Sequence, residues 1–215
     1  LLQPKTYGIG EVDVYGQLLI YKKMLQNVVS NINKNYISKP YNYEGYFKYS
    51  RQVDGQEKVK EATVTIYDAQ GYHREDVASA FKELNYKFNQ VRRNSEVTSV
   101  WDGLTYFDDI LTADIVRNTR NVLDIVNSRD YKLKSKGKLV YEGDSVQVIS
   151  YQATHPSIST TGDPAVQTYS GEIYVNLKDL AVLKNVVNLT SRDFNGLGRN
   201  LVTINEKPKS DAKMT

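Results

Sequence analysis

The sequence contains no cysteine, which removes disulfides, thiolate zinc sites and cysteine nucleophiles from consideration. The absence does not fix a compartment, because such a chain is equally at home in oxidising and reducing surroundings. No window approaches the roughly 20 apolar residues that a membrane-spanning helix needs, and the longest apolar runs, such as Leu18 to Ile20, are far shorter. Neither sign of charge dominates: 28 basic against 25 acidic residues leave a net +3, with the basic residues scattered along the chain. A nucleic-acid partner would need a clustered basic stripe, so none is expected. Histidine occurs twice, as His73 and His155. Neither has a second histidine at metal spacing, so both are read as loop residues and no metal or cofactor is expected. The start carries no Met, charged segment or apolar segment of a leader, so residue 1 is expected to lie inside a longer coding sequence.

What is present is enough for a real core. At 215 residues with 40% apolar content, the chain is one large domain or one domain with appendages, and folding should bury about 70% of its unfolded surface. Its 17 tyrosines against 5 phenylalanines and 1 tryptophan favour strands with half-exposed faces, since tyrosine offers an apolar ring and a wet hydroxyl.

Periodicity sorts the chain into elements. Residues Tyr7 to Tyr15 have a short strand-like pattern that stops at Gly16. From Gln17 to Asn33, Leu18, Tyr21, Leu25, Val28 and Ile32 advance by three or four and predict a helix. After Pro40 the period becomes two, with Tyr41, Tyr43, Gly45, Phe47 and Tyr49 on one face of a strand. Asp54-Gly55 supplies a tight hairpin turn into a returning strand over Ala62 to Tyr67. Val77, Ala80, Phe81 and Leu84, behind Glu75 and Asp76, have the spacing of a short helix. Tyr86 to Arg93 alternates like a strand. Two helical segments are expected on either side of Asn118, with Thr119 capping the second, over Val122, Leu123 and Val126. Strands follow at Tyr131 to Tyr141, Ser145 to Tyr151, Tyr169 to Val175 and Leu180 to Leu189, with a loop at His155 to Pro164. Val202 and Ile204 suggest one more strand before a polar end.

The order predicts an α+β fold, a large curved antiparallel sheet resembling a half-barrel and wrapped over a few helices. Three parts are expected: residues 1–15 as the last strand of an upstream β-sandwich, 16–205 as the α+β domain, and 206–215 as a polar tail or truncated strand.

Reactive constellations are scarce. Asp108 and Asp109, with Asp114 further on, contain the residue types of a glycosidase acid and base, but adjacent helical residues point about 100° apart and such carboxylates must flank one bond. A solvated helix start is the reading preferred for them. No Gly-x-Ser-x-Gly elbow occurs, and Ser170, inside a strand pattern, is read as an edge-facing polar residue. Gly196-Leu197-Gly198-Arg199 lacks the Lys-Ser/Thr and the strand-to-helix frame of a phosphate cradle, and is read as a turn. Asn188-Leu189-Thr190 fits the glycan-acceptor pattern, a triplet common by chance. The aromatic set remains. Tyr41, Tyr43, Phe47 and Tyr49, with Trp101 and Phe107, are either a core face beneath helices or the wall of a greasy pocket. They are the candidate ligand-binding residues, and no catalytic residue is expected.

Several stretches together resemble one family. Glu11-Val12-Asp13-Val14-Tyr15 resembles the closing strand of the carboxypeptidase-like regulatory domain, a small β-sandwich of Gram-negative envelope proteins, although Asp13 stands where that strand is usually apolar. Asn35-Tyr36, Pro40-Tyr41, Gly45-Tyr46-Phe47, Glu61-Ala62, Ile66-Tyr67 and Asp114-Ile115-Val116-Arg117 resemble the region downstream of it. So do Tyr141-Glu142-Gly143, Val148-Ile149-Ser150-Tyr151 and Gly171-Glu172-Ile173-Tyr174-Val175-Asn176 with Ala181-Val182-Leu183. That last segment is also similar to the paired strands of periplasmic lipoprotein-carrier folds, where a curved sheet holds an acyl chain. The resemblance implies a periplasmic or cell-surface location in a Gram-negative bacterium and partnership with other domains of a parent protein. The leading expectation is a non-catalytic binding or scaffolding role toward a hydrophobic or lipid-like ligand; a glycan-binding surface, with exposed tyrosines and Trp101 stacking on sugars, is the alternative, and a carboxylate-dependent hydrolase using Asp108, Asp109 or Asp114 is the third reading.

Overall fold

The structure is a computed structural model that describes residues 10–53, 55–74, 84–93, 114–124, 127–161, 166–191 and 212–214. Helix α1 spans Gly10–Asn35. Its inner stripe is the expected one, with Leu25, Val28 and Ile32 buried, each contributing about 1.5–3 kcal/mol by leaving water. Residues 10–15, expected as strand, belong to this helix. The spacing Val14, Leu18, Tyr21, Leu25 carries the three-to-four step backward, and that longer pattern overrides a short alternating one. The helix ends at Asn35, before Pro40 and the start of the first strand.

Strands β1 (Tyr41–Val53), β2 (Gln56–Asp68) and β3 (Leu84–Arg93) form an antiparallel sheet in that order. The first hairpin closes at Val53 opposite Gln56, with Gly55 at φ 80 in the left-handed conformation that such turns require. Strands β4 (Tyr131–Tyr141), β5 (Asp144–Ala153), β6 (Val166–Asn176), β7 (Val182–Ser191) and the short β8 (Ala212–Met214) form a second antiparallel sheet, also in sequence order. The α+β class and the antiparallel hairpins agree with the sequence reading. The strands divide between two sheets where one large sheet was expected. Ser170 is not at an edge, since β6 lies between β5 and β7. A single helical turn, α2 (Ile158–Thr161), interrupts the expected loop after His155.

Over the described residues 115–123 the second helical segment expected near Asn118 does not form: they are turns and bends with an isolated bridge at Asn118, and Val126 lies outside the described residues. Side chains there replace the helical ladder. Asp114 Oδ1 accepts from the Val116 and Arg117 amides at 3.0 and 3.3 Å. Asn121 accepts from the Leu123 amide at 2.8 Å and donates to the Ile115 and Asn118 carbonyls at 3.0 and 2.6 Å. Asp and Asn compete with helix in this way wherever their short side chains reach nearby backbone.

The main core lies between α1, the 115–123 segment and the five-stranded sheet. Tyr131, Tyr151 and Tyr169 sit side by side on its inner face, with ring centroids 5.8–6.3 Å apart. Their hydroxyls are served inside the protein, Tyr131 donating to the Thr160 carbonyl at 2.5 Å and Tyr151 to Asn185 Oδ1 at 3.0 Å. A smaller core of Phe47, Ala62, Val64 and Ile66, flanked by Tyr86 and Phe88, belongs to the three-stranded sheet.

Burial pushes the Tyr169 phenol up to about 12 and raises those of Tyr131 and Tyr151 further. The unfolded chain releases these protons near pH 10 while the folded chain keeps them. Folded protein then binds more protons than unfolded, and stability falls as pH rises. Their contribution is whole below pH 10 and is lost as pH climbs from there toward 12 and above, at up to about 1.4 kcal/mol per pH unit for each tyrosine. Alkaline titration followed by tyrosinate absorbance and near-ultraviolet dichroism should show exposed tyrosines ionising reversibly and the buried ones only with unfolding. One common transition near 10 with the dichroism unchanged would contradict this.

Candidate functional site, an aromatic rim beside a buried ion pair

Where β2 ends, the chain places a charge at an inward position. Ala62, Val64 and Ile66 point into the small core, so Asp68, two residues on, shares their face and is buried. A buried carboxylate needs bonds and a counter-charge, and it has both. Asp68 Oδ1 accepts from the Gln70 and Gly71 amides at 3.1 and 3.0 Å. Its Oδ2 accepts from Arg117 Nη2 at 2.6 Å, in an ion pair whose side chains are 1% and 5% exposed. Gly71 closes the turn at φ +85, packed so tightly that a Cβ there would lie 2.5 Å from the Ser38 carbonyl carbon.

Aromatic rings surround the pair. The Arg117 guanidinium lies 4.6 Å from the Tyr72 ring centre, a cation–π contact that gains from desolvation. Tyr72 stacks on Tyr36 at 4.7 Å and 17° and donates its hydroxyl to Asp114 Oδ2 at 2.5 Å. Tyr36 reaches β7, donating to the Val182 carbonyl at 3.3 Å and accepting from the Val182 amide at 3.2 Å. The Tyr41 hydroxyl accepts a long 3.4 Å bond from Arg117 Nη2. Elements of both sheets and the end of α1 therefore meet at this cluster.

The electrostatics fit a site that holds its charges fixed. Burial is the largest effect on Arg117 and pulls its pKa down, but its bonds to Asp68 and that carboxylate's charge more than offset this, leaving it raised. Burial, then the Asp114 charge, drives the Tyr72 phenol far above its ordinary value, and burial lifts Tyr36 to about 12.

The predicted aromatic set divides at this cluster. Phe47 is sealed in the small core at 3% exposure. Tyr41 is half-buried, and Tyr43, stacked on it at 5.9 Å and 19°, stays 42% exposed. Burial nonetheless pushes the Tyr43 phenol up to about 12. Tyr49 lies in β1 opposite Lys60, with its side chain outside the described residues; Trp101 and Phe107 lie outside them altogether, as do Asp108, Asp109, the helical segment expected from Leu104 to Leu111, the helix expected behind Glu75 and Asp76 save its last residue Leu84, which begins β3, the Gly196 to Arg199 turn and the strand at Val202 and Ile204.

Asp114 is no solvated helix start, since it takes the Tyr72 hydroxyl and pins two backbone amides. His73 lies in the 69–74 loop, its Nδ1 2.7 Å from the Gly71 carbonyl, and His155 is an exposed bend residue. Among the described residues no group of three or more His, Asp or Glu has the arrangement of a metal site, and no helix is long and apolar enough to cross a membrane. A cleft between α1 and β4, lined by Lys22, Leu25, Gln26, Leu123, Tyr131 and Leu133, has about 10 Å³ of free volume, room for one water.

Sequence periodicity did not single out Asp68, Tyr72 or Arg117. The signal was there: Asp68 occupies an inward position of an otherwise apolar alternation, and such a residue demands a partner elsewhere in the chain.

No protein family profile matches the chain, and no curated protein matches it. A solved structure that is similar in part is a DUF1329 family protein from Desulfovibrio piger, 10% identical, with a TM-score of 0.27 over 79% of this chain and 73% of that one. At that score the superposition does not establish a common fold.

Proposed function

We propose that this chain is a non-catalytic binding or scaffolding module of a cell-envelope protein, and that its ligand is hydrophobic or lipid-like and contacts the Tyr41–Tyr43 rim. The observation that carries the reading is the unequal treatment of one strand face. Phe47 is sealed, while Tyr43, four register positions away on the same face, is held open and stacked on Tyr41. Tyr41 is in turn held by Arg117, itself locked by Asp68. Rings presented by a rigid support lose little freedom on binding, which favours affinity. The envelope setting, on the periplasmic side or the cell surface, and the other domains of a parent protein as partners rest on the sequence resemblance. Fractionation of the source cells tests the setting, with recovery in the cytosolic fraction counting against it.

Titration calorimetry with palmitate tests the rim. Wild-type protein should bind, and Tyr43→Ala should bind at least about tenfold more weakly, the loss expected when one aromatic contact is removed. Equal affinities, or no binding by the wild type, would remove the rim from the account.

A second reading has its own observation. The opposite face of β1 and β2 is open and polar, with Tyr46 65% and Tyr67 45% exposed beside Thr63 and Thr65, which are hydrogen-bonded to Asn89. Exposed tyrosines on a polar sheet face suit stacking on sugars. Glycan binding lost on Tyr46→Ala but kept on Tyr43→Ala would favour this face over the rim.

A further inference from the structure

Four of the basic residues are gathered on one edge. Lys132, Lys134, Lys136 and Lys138 alternate along β4, the outermost strand on one side of the five-stranded sheet, and all four are exposed. Successive members are about 6.7 Å apart along the strand. Lys132 and Lys134 pair with Gln152 and Ser150; an irregularity between Ser135 and Gly137 then shifts the register, so that Lys138 pairs with Gln147. Gln147 and Ser150 differ by an odd number of residues along β5 and therefore lie on opposite faces. The lysines thus straddle the edge instead of lining one face. Among the described residues, Lys136 has a long 3.8 Å contact with half-buried Glu172, and no acidic side chain is paired with the other three.

Lysines on an edge strand are also a means of repelling stray strands. Repulsion does not account for the apolar end of the same strand, where Leu139, Val140 and Tyr141 are 40%, 73% and 53% exposed. They stand just before the tight turn in which Glu142 and Gly143 take φ 51 and 88. A bare apolar tip on an edge strand invites association instead of preventing it. Asp144, past the turn, is engaged by Lys178 at 3.6 Å and by Asn176 at 3.1 Å.

We propose that the β4 edge and the tip of the β4–β5 hairpin dock on the surface of an anionic lipid bilayer. The lysines meet headgroup phosphates, Leu139 and Val140 enter the interface between headgroups and chains, and the Tyr141 ring sits at headgroup level, where amphipathic rings are favoured. A soluble polyanion would satisfy the lysines but not the tip, and the tip makes a bilayer the better fit. This surface is on the other sheet from the Tyr41–Tyr43 rim, so either proposal can fail without the other.

Sedimentation of the full chain with phosphatidylglycerol-containing vesicles, compared with pure phosphatidylcholine vesicles, tests it. The chain should bind the anionic vesicles and not the neutral ones, with affinity falling as salt rises. Each lysine near such a surface accounts for about a fivefold change, so Lys132→Gln/Lys134→Gln/Lys138→Gln should bind about a hundredfold more weakly, while the corresponding triple arginine variant retains binding. Val140→Asp should also weaken it, with thermal unfolding unchanged because the side chain is exposed. Absence of binding by the wild type, equal binding to neutral vesicles, undiminished binding by the glutamine variant, or binding of heparin without binding of vesicles would each overturn the proposal.

Discussion

Arg117→Ala should destabilise the fold by about 3–5 kcal/mol, the cost of leaving a buried carboxylate without its counter-charge. Asp68 cannot turn to solvent, because two backbone amides hold its Oδ1 and its side chain is 1% exposed. The substitution also removes the cation over Tyr72 and the bond to Tyr41. Replacing both partners by apolar residues of similar volume, Asp68→Leu with Arg117→Met, should recover most of the loss, since buried ion pairs add little net stability over a packed apolar pair. The two amides that Asp68 serves would then be left without an acceptor and keep some deficit. Denaturant midpoints of the two single variants and the double variant measure the coupling. A loss of less than about 1 kcal/mol for Arg117→Ala would mean that the pair is solvated and does not join the sheets.

The second large effect is at Gly171, on β6 directly opposite Tyr151. A Cβ at this position would lie 2.5 Å from Tyr151 Cζ and would also press on the Tyr151 hydroxyl and the Val186 carbonyl of β7. The missing side chain is what lets Tyr151 cross the neighbouring strand to reach Asn185. Gly171→Ala should therefore cost about 3 kcal/mol, the upper end of ordinary overpacking, because backbone on one side and a tightly packed ring on the other leave nothing free to move. Adding Tyr151→Phe relieves the hydroxyl but not the Val186 contact, so rescue should be partial. Gly45→Ala is the control: its Cβ would meet Val64 Cγ1 at an ordinary 3.6 Å, and a small gain from a stiffer unfolded chain is expected. Comparable thermal midpoints for the two alanine variants would contradict the packing described.

The hairpins were legible in the sequence because each hairpin carries its own signal. Alternation marks β1 and β2, Asp54-Gly55 marks their turn, and Glu142-Gly143 marks the next; these are local rules acting between neighbours. The 10–15 segment deceived because Val12 and Val14 alternate over too few residues to compete with a helical stripe that runs on to Ile32. The 115–123 segment deceived because apolar spacing there reflects contact with the core, while Asp114 and Asn121 spend the backbone on turns.

The ion pair was the hardest to anticipate. Asp68 and Arg117 are 49 residues apart, and nothing in either neighbourhood names the other. Three of the stretches quoted from the sequence, Asn35-Tyr36, Pro40-Tyr41 and Asp114 to Arg117, end within the cluster. The division of the aromatic face into sealed Phe47 and open Tyr43 was likewise invisible, since alternation gives a residue's face but not what covers it.

The sharpest test of the account is a nuclear magnetic resonance titration of ring-labelled tyrosine with palmitate, because β1 presents tyrosines on both faces. If the rim is the binding surface, the ring signals of Tyr41 and Tyr43 shift with increasing palmitate, while those of Tyr46 and Tyr67 stay in place. Shifts confined to Tyr46 and Tyr67, or no shift at either pair, would contradict it.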